Sequence, residues 1–458
     1  MKAIPPARMP PMTEILDQSD LTDRAARLVE AAKRAGADAA DTVCVRGMSL
    51  SVDMRLGKVE ETRRAEGDDF TLRVFVGRRS ATVSANVLAD PAELATRAVA
   101  MARVAPEDRF AGLADPDRLA RDFADVDILD AGIPSAAELT DMALAVEDAA
   151  RAVPGVTNSG GASAGWSLGG MVLAPSAGFT GSYRSSRFSL SASAIAGEGT
   201  AMERDYESAV TSHRADLDDP ASVGRRAGER AVRRLNPVKM PTGRATVVYD
   251  PRVATGLVGS LAGAIGGAAI ARKTSFLRER LGTRVFAEGV SIVDDPFRPR
   301  GLASRPFDGE GVRPERLAVI DDGILTTWFL DSATARELGL ATNGHALRGG
   351  GNPSPGATNL TLLPGTKSPA ELIAEVGEGL YVTEMIGHGA NLVTGDYSRG
   401  ATGFAIRNGE LAEAVSEITV AGNLAGMFRT LVPASDLVYR FSVNAPTVVV
   451  PGMTVAGR

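Results

Sequence analysis

Five short β-type runs, separated by turn residues, follow one amphipathic helix near the start of the chain. The helix is predicted over residues 21–35, and Gly36 ends it. Its apolar face is formed by Leu21, Ala25, Leu28, Val29 and Ala32. The runs are DTVCVRG, LSVDMRL, KVEETRRA, DFTLRVFVG and RSATVSA. Such runs are typical of an antiparallel meander. Glycine, at 50 of 458 residues, exceeds its usual share of about 7% and favours many turns and close backbone contacts.

Capping residues predict further helices. Pro91 follows the capping residue Asp90, and Glu93 lies in the first turn of the helix that they open. Ser135 and Glu138 form a capping box at the start of the next helix. These residues therefore mark the beginnings of two helices.

The segments around these helices differ in texture. Residues 106–134 are rich in Asp, Pro and Gly and are predicted to be a linker. Residues 155–210 are Gly/Ser-rich, and SRFSLSASAIAG within them alternates as a half-buried strand does. A helix is predicted from Asp219-Pro220 to about Leu235.

The chain changes character from Thr242 onward. RATVVYDP is predicted to be a buried strand, and an Ala/Gly-rich helix is predicted around Val253–Ala271. Later, Asp322-Gly323 and Asn408-Gly409 each lie between apolar runs, which is a strong hairpin signal. Helices and strands segregate rather than alternate, which favours an α+β fold over a doubly wound α/β fold.

We predict three domains. Residues 1–110 would form an amino-terminal domain of one helix plus an antiparallel meander. Residues 111–240 would form a central β-rich segment with flanking helices, and residues 241–458 a larger, mainly β carboxy-terminal domain with the Ala/Gly-rich helix.

Composition excludes several classes of function. A formal net charge of −6 gives no basic footprint for nucleic acid. The single cysteine, Cys44, rules out an intramolecular disulfide and any cysteine-only metal cluster. The stretch Val253–Ala271 is diluted by five glycines and is a poor membrane span. The first 20 residues carry prolines and acids where a signal peptide needs an apolar core. We therefore expect a cytoplasmic protein.

The stretch TEMIGHG at residues 383–389 places Glu384 four residues before His388, as in part of a metal-protease motif. On a helix the two side chains would share one face. However, LYVTEMI is β-type, and glycines flank the histidine. A zinc site also needs three protein ligands. We interpret His388 as a loop residue, and a site that joins it to His345 stays an alternative.

Two other patterns are formal matches only. GASAG at residues 161–165 fits the nucleophile elbow around Ser163, but an elbow needs a helix after the serine, and β-type residues follow here. The glycines of residues 259–269 do not match a dinucleotide fingerprint. No complete catalytic constellation emerges from the residues alone, and a serine-type hydrolase that uses Ser163 with a histidine stays an alternative.

Long stretches of the carboxy-terminal half resemble the TldD/PmbA family, specifically its TldE (PmbA) branch. The carrying stretches are RKTSFLRERLGTRVFAEGVSIVDDP, GLASRPFDGEGV, TEMIGHGANLVTGDYSRGATGFAIRNGE, EITVAGNLAGMFRTLV and PGMTVAG. The resemblance is close from about residue 240 to the end. It is looser before that, through RLGKVEETRRAEG and FTLRVFVGRRSATVSAN.

The resemblance implies a cytoplasmic metalloprotease of two subunits. In the TldD subunit of this family, a His-Glu-x-x-x-His helix and a cysteine near the end of the chain hold zinc. Aligning VGSLAGAIGG with that helix places Gly259 and Ala264 at the two histidines and Ser260 at the glutamate. The only cysteine here is Cys44, far from the end of the chain. The resemblance therefore implies a subunit without a catalytic or metal-binding residue of its own, with zinc held by a TldD-like partner.

The implied function is that of the non-catalytic subunit of a TldD–TldE protease that processes unfolded peptides, of the microcin-precursor or antitoxin type. Candidate residues of a peptide cleft are His388, Asn391, Asp396, Tyr397 and Arg399. A structural ion pair between Asp396 and Arg399 in a turn is the alternative for two of them. A homodimeric scaffold or regulatory protein, described in older work as a modulator of DNA gyrase, is the alternative function.

Overall fold

One antiparallel six-stranded sheet organises the first half of the molecule. The computed structural model describes residues 17–86, 89–349, 351–387 and 389–457. The strands are β1 (Ala39–Arg55), β2 (Lys58–Val76), β3 (Arg79–Asn86), β4 (Val156–Pro175), β5 (Gly181–Ala196) and β6 (Glu203–Thr211). Their order across the sheet is β3-β2-β1-β4-β5-β6, so the meander continues from the amino-terminal strands into the Gly/Ser-rich ones.

The five predicted short runs are three long strands, so the meander is confirmed but its number of strands was wrong. Gly47 and Gly67, which the sequence suggests as turn residues, lie inside the sheet and pair with each other. Gly169 of β4 continues the row across Gly47. The actual turns lie at Leu56-Gly57 and at Gly77, where the backbone has positive φ. Glycine thus occupies a row of paired positions inside the sheet as well as the turns.

Four helices cover one face of this sheet. They are α1 (Ser19–Arg34), α2 (Pro91–Val104), α3 (Ala136–Arg151) and α4 (Pro220–Arg233). The first two pack on Cys44 and Phe70, and the other two pack on Val52 and Leu190. The predicted helix starts are confirmed, because Asp90 accepts from Ala92 N at 2.8 Å and the capping box of α3 is complete. Burying these apolar faces joins the helices to the sheet.

Helices α3 and α4 cross so closely that the contact tolerates only glycine. A Cβ atom on Gly224 would lie 1.9 Å from the carbonyl oxygen of Val146. We therefore expect Gly224→Ala to lower the free energy of unfolding by about 1–3 kcal/mol, since overpacking forces the backbones apart. Urea unfolding of the variant checks this expectation, and an unchanged midpoint would contradict it.

A second sheet, closed on itself, forms the core of the carboxy-terminal half. Its strands are β7 (Gly243–Tyr249), β14 (Gly379–Ile386), β15 (Asp396–Arg407), β16 (Glu410–Asn423), β17 (Val432–Pro433) and β19 (Val448–Ala456). The order is β16-β15-β14-β7-β19-β17, and a further pairing of β16 with β19 closes a five-stranded ring. The predicted hairpin at Asn408-Gly409 is confirmed, with both residues at positive φ.

Smaller elements surround this ring. The short strands are β8 (Ile292–Asp294), β9 (Leu317–Asp321), β10 (Ile324–Leu325), β11 (Ala346–Leu347), β12 (Ser354–Pro355), β13 (Leu360–Leu362) and β18 (Val443–Asn444). The helices are α5 (Pro251–Ala264), α6 (Gly267–Ala271), α7 (Ser332–Leu338), α8 (Pro369–Val376) and α9 (Leu424–Thr430). Asp322-Gly323 connects β9 to β10, as predicted.

The Ala/Gly-rich segment is two helices, α5 and α6, where one was predicted. The break lies at Gly266, whose backbone is extended. This geometry lets Gly267 N donate to the Phe329 carbonyl oxygen at 2.8 Å. A Cβ on Gly267 would lie 2.6 Å from Thr334 Oγ1, so the close contact also needs glycine there. A partner distant in sequence therefore ends α5.

The predicted α+β class is confirmed by this arrangement of segregated helices and antiparallel strands. The division at residue 110 stays a prediction; the first sheet takes strands from both sides of it. On the open face of that sheet, opposite its helices, Phe307 packs against Val43 and Leu173 and joins the two halves. Across the described ranges, no helix combines the length and apolarity needed to cross a membrane.

Candidate functional site

Helix α5 presents a glycine-rich face to the outside. Asp250 caps it by accepting from Arg252 N at 3.0 Å. Its apolar residues, spaced three or four apart, pack into the core: Ala254, Leu257, Val258, Leu261 and Ala264. The opposite face carries Gly256, Gly259 and Gly263, all exposed. The helix is therefore held on one side and is bare of side chains on the other.

The three positions that the resemblance aligns with a zinc site do not fit that metal. Gly259 has no side chain, and Ala264 is a fully buried methyl group. The Ser260 hydroxyl donates to the Gly256 carbonyl oxygen at 2.8 Å, within its own helix. Zinc in proteins takes thiolate, imidazole or carboxylate ligands. This helix offers none of them.

Gly259 leaves open space that a methyl group fills without cost. Nothing lies within 4 Å of a Cβ built on this residue, and its position is in the interior of α5. We expect Gly259→Ala to raise the free energy of unfolding by about 0.5–1 kcal/mol, because glycine inside a helix costs conformational entropy. Thermal unfolding checks this, with the crowded Gly224→Ala as the opposite control. A loss of stability at Gly259 would show a contact that the open face lacks.

A loop after β14 lies across this glycine face. Leu392 Cδ1 would be 2.8 Å from a Cβ on Gly263, and Arg399 Nη1 would be 3.7 Å from one on Gly256. Asn391 closes the loop, since its Oδ1 accepts from Val393 N at 2.9 Å. The candidate cleft residues that the structure describes therefore lie on this loop and on the start of β15, next to α5.

Asp396 and Arg399 do not pair with each other. Asp396 accepts from Thr394 Oγ1 at 2.7 Å and from Asn423 Nδ2 at 3.2 Å. These bonds lower the pKa of its carboxyl. Arg399 reaches the Met385 carbonyl oxygen at 3.5 Å instead. Asp396 begins strand β15 just after a turn at residues 392–394. The alternative of an ion pair between Asp396 and Arg399 was wrong.

Tyr397 lies behind the cleft rather than on its surface. It is only 4% exposed, and Tyr249 beside it is fully buried. Burial raises the pKa of both phenols, and the nearby positive charge of Arg399 opposes that rise. Tyr249 was not predicted as a site residue, because in the sequence it resembles any other residue of a buried strand. The two phenols are buried near Arg399, whereas Asn391 and Asp396 are exposed.

Glu384 is a structural residue, and His388 lies outside the described residues. Glu384 Oε2 lies 2.5 Å from Nη1 of Arg234, the residue that directly follows α4. Arg204 lies 3.8 Å from its other oxygen. Glu384 is on strand β14, as the β-type prediction requires. The carboxylate therefore ties the two halves of the molecule together.

The alternative sites fail on geometry. Ser163 lies in the middle of β4, and its Oγ is 2.9 Å from Ser191 Oγ. His345 is 1% exposed and uses both ring nitrogens, on Asn343 and Asp294. His213 bonds to the Asp127 carbonyl oxygen at 2.9 Å. Ser163 thus has neither an elbow nor either of these histidines as a base, and the described ranges hold no group of three or more His, Cys, Asp or Glu placed for a metal.

The fold places the chain in a class of two-part α+β proteins: a sheet with four helices on one face is joined to a closed β-ring. Sequence models of the PmbA/TldA metallopeptidase match the chain in three parts. Domain 1 matches residues 40–102, the central domain residues 130–235 and the C-terminal domain residues 242–457. These matches cover most of the chain, so it belongs to the PmbA/TldD metallopeptidase family, in its PmbA/TldE branch. The family name implies a metal.

Two curated relatives match nearly end to end. Metalloprotease PmbA of Escherichia coli O157:H7 is 38% identical over 425 residues, which are 92% of this chain and 93% of that protein. A PmbA homolog of Haemophilus influenzae is 35% identical over 446 residues, covering 96% of this chain and 97% of its own length. The resemblance inferred from the residues is thereby confirmed.

Solved structures share the whole architecture. A crystal structure from Bacteroides thetaiotaomicron, of a protein named as a candidate modulator of DNA gyrase, superposes with a TM-score of 0.89 at 28% identity. It covers 97% of this chain and 100% of that one. TldE of Thermococcus kodakarensis gives a TM-score of 0.83 at 18% identity, covering 94% of this chain and 99% of its own. At 18% identity, the similarity to TldE of Thermococcus kodakarensis shows a shared fold only.

Proposed function

We propose that this chain is the non-catalytic subunit of a two-subunit zinc protease. A TldD-like partner would hold the metal, and the pair would cleave unfolded peptides in the cytoplasm. The observation that carries the proposal is the absence of any donor atom at Gly259 and Ala264, together with a Ser260 hydroxyl already bonded to its own helix. A helix in this state cannot activate water through zinc.

The open face of the first sheet supports a role in holding peptides. Serine side chains and glycine backbone line part of it, including Ser49, Ser167 and Ser185. A surface of small residues lets an extended chain lie close to the sheet, and exposed strand edges allow strand addition. In this proposal the subunit forms one wall of a chamber that admits an extended peptide and excludes folded proteins. A chain whose one cysteine is buried and unpaired fits a reducing location.

Co-expression with the TldD-like subunit of the same organism tests the proposal. Cleavage of an unstructured peptide is measured for each subunit alone and for the pair, with zinc quantified in each sample. We expect the pair to cleave and a chelator to stop it, whereas this chain alone is inactive and free of zinc. A pair whose partner lacks its metal-site glutamate is the matched control. Cleavage by this chain alone, abolished by a chelator, would overturn the proposal.

A homodimeric regulatory protein is the competing function. The likeness to the Bacteroides protein, named as a candidate modulator of DNA gyrase, favours it. Light scattering after size-exclusion chromatography separates the two functions, since ours predicts a mass equal to one copy of each subunit. A mixture that elutes as two separate homodimers would favour the regulatory function.

A further inference from the structure

A polar cavity of about 410 Å³ lies where the open face of the first sheet meets the carboxy-terminal half. Strand β5, the loop at residues 301–305 and a third group of residues form its walls. That third group is Leu347, Arg348, Gly349, Asn352 and Ser354. Three arginines line it: Arg187, Arg305 and Arg348. Among the described lining residues there is no aspartate or glutamate. Arg348 is paired with Asp41 behind the cavity, whereas no carboxylate among the described lining residues faces Arg187 or Arg305. The cavity therefore presents positive charge that favours an anion.

The solvent exposure of the three arginines decreases from the mouth of the cavity to its floor. Arg187 is exposed at the mouth, and its Nη2 donates to the Leu302 carbonyl oxygen at 2.5 Å. Arg305 is half-buried, and its Nε donates to the Ala303 carbonyl oxygen at 3.3 Å. Each guanidinium group therefore donates to one backbone carbonyl and has further N–H groups that can donate to a ligand.

The floor of the cavity is a fully buried cation. The side chain of Arg348 has no exposed surface, and its Nη2 lies 2.6 Å from Asp41 Oδ1. Its Nε finds no partner among the described residues. A buried donor without a partner is costly, so a ligand atom or water that accepts from it is favoured. The site is thus built into the interior and is more than a surface patch.

The surroundings leave Arg187 without a compensating carboxylate. Partial burial by neighbouring residues lowers the pKa of the Arg187 guanidinium. Within the described ranges, no negative charge offsets this lowering of the pKa. Arg73, by contrast, has such an offset from Asp41. A carboxylate ligand would supply it. Guanidinium groups bind carboxylates through paired, parallel hydrogen bonds, which suits this arrangement.

A second cavity leads into the first. It has a volume of about 620 Å³, lies on the open sheet face and is lined by Gly47, Gly67 and Gly169. The two cavities share Tyr183, Ser185 and Arg187. Glycines and serines form a large part of the lining of this groove, and Arg46, Glu66 and Asp69 also line it. The glycines leave room for an extended chain, and the arginines at the end of the groove match a negative charge at the end of a peptide.

We infer that Arg187 and Arg305 bind a carboxylate of an extended peptide that lies along the glycine-lined groove, with the Arg348 guanidinium beneath them. The inference rests on the proposed function for the identity of the ligand as an unfolded peptide. The carboxylate belongs either to the end of the peptide or to an acidic side chain near that end. The pocket thereby fixes the direction of the peptide in the groove.

Equilibrium binding to the full-length chain tests the inference. Fluorescence anisotropy is measured with an amino-terminally labelled unstructured peptide in three forms: free acid, carboxy-terminal amide, and amide with glutamate as its last residue. We expect the free acid to bind roughly tenfold more tightly than the plain amide, the effect of one charge-assisted interaction. Equal binding of the glutamate amide and the free acid assigns the pocket to carboxylates in general, whereas weak binding of that amide assigns it to the end of the chain.

Arg187→Gln and Arg305→Gln should each remove most of the difference between acid and amide. Arg244→Gln is the matched control, since Arg244 is exposed and also donates to one backbone carbonyl, that of Gly452, at 2.7 Å. Equal binding of acid and amide to the unmodified chain, or no binding of any form, would overturn the inference. So would inorganic phosphate binding that the peptide acid does not displace.

The outcomes for the inference and for the proposed function are separable. Acid-dependent binding to this chain, combined with no cleavage by the two-subunit mixture, would sustain the pocket and reject the proposed function. Cleavage by the mixture that is indifferent to the peptide terminus and to Arg187→Gln would do the reverse.

Discussion

Replacing Asp41 with asparagine is expected to lower the free energy of unfolding by about 3–5 kcal/mol, the usual cost of removing one partner from a buried ion pair. Asp41 is 1% exposed in strand β1. It lies opposite Arg73 on β2 and bonds to that guanidinium, with Nε at 3.1 Å from Oδ2. Arg348 of the other half reaches the same carboxylate. One carboxylate therefore bonds to two buried cations, and Glu310 lies 3.9 Å from Arg73 as a more distant counterion.

The pKa of Asp41 indicates whether burial or the two arginines have the larger influence on its carboxyl. Burial raises the pKa of this carboxyl, but the charges of Arg73 and Arg348 outweigh burial and hold the pKa below its usual value. Asparagine keeps the size of the side chain and removes the charge, so the two arginines would remain buried without their main counterion. Since domains are stable by only about 5–15 kcal/mol, the loss is a large fraction of the total.

The matched control for Asp41→Asn is Asp53→Asn in the same strand. Asp53 pairs with Arg63 at 2.5 Å, but their side chains are 30% and 60% exposed. Ion pairs in contact with solvent contribute little. Chemical unfolding followed by circular dichroism should show a large shift of the midpoint for the first variant and almost none for the second. Equal shifts would mean that the buried network has no special role in joining the two halves.

Features set by neighbouring residues could be predicted from the sequence. The capping residues Asp90 and Ser135 act within three residues, so the starts of their helices were found. The hairpin at Asn408-Gly409 needs only two residues at positive φ. The α+β class follows from the sum of such local signals, and the collinear resemblance supplied the family. Local chemistry was sufficient for these predictions.

Features set by distant contacts could not be predicted in this way. Gly47 has the composition of a turn residue, and only its pairing with Gly67 and Gly169 places it inside the sheet. Glu384 is 150 residues from Arg234, and Arg348 is 307 residues from Asp41. No pattern within a window of the sequence contains both partners. The cationic cavity depends on the same long-range packing, so no local pattern indicates it.

The stability of the chain should fall as the pH rises from about 4 to about 7, because of a buried carboxylate beside Gly309. Burial and the negative charge of Glu310 raise the pKa of the Asp308 carboxyl to about 7. Three backbone N–H groups, of Glu310, Val312 and Ala346, donate to it and partly oppose that rise. Burial also raises the pKa of Glu310, although Arg73 opposes this.

The direction of this pH dependence follows from proton binding in the unfolded and folded states. Unfolded, Asp308 releases its proton near its ordinary pKa of about 4. Folded, it keeps that proton up to about pH 7. Between these values the folded state holds more protons, so the free energy of unfolding decreases with pH across this window and levels off above it. The full effect amounts to a few kcal/mol at most, since a tenfold change in proton affinity corresponds to about 1.4 kcal/mol.

Asp308→Asn isolates this contribution. The variant carries no titrating group at this position, so its stability should depend less steeply on pH than that of the unmodified chain between about pH 4 and pH 7. A constant offset from altered hydrogen bonding leaves the slope unaffected. Asp322→Asn is the control, because hydrogen bonds from Gly289 and Arg284 lower the pKa of Asp322 and confine its influence to more acidic solutions. Thermal unfolding at several pH values measures the slopes; identical slopes for Asp308→Asn and the unmodified chain would show that Asp308 is ionised in the folded protein at neutral pH, with its negative charge held by those three N–H groups alone.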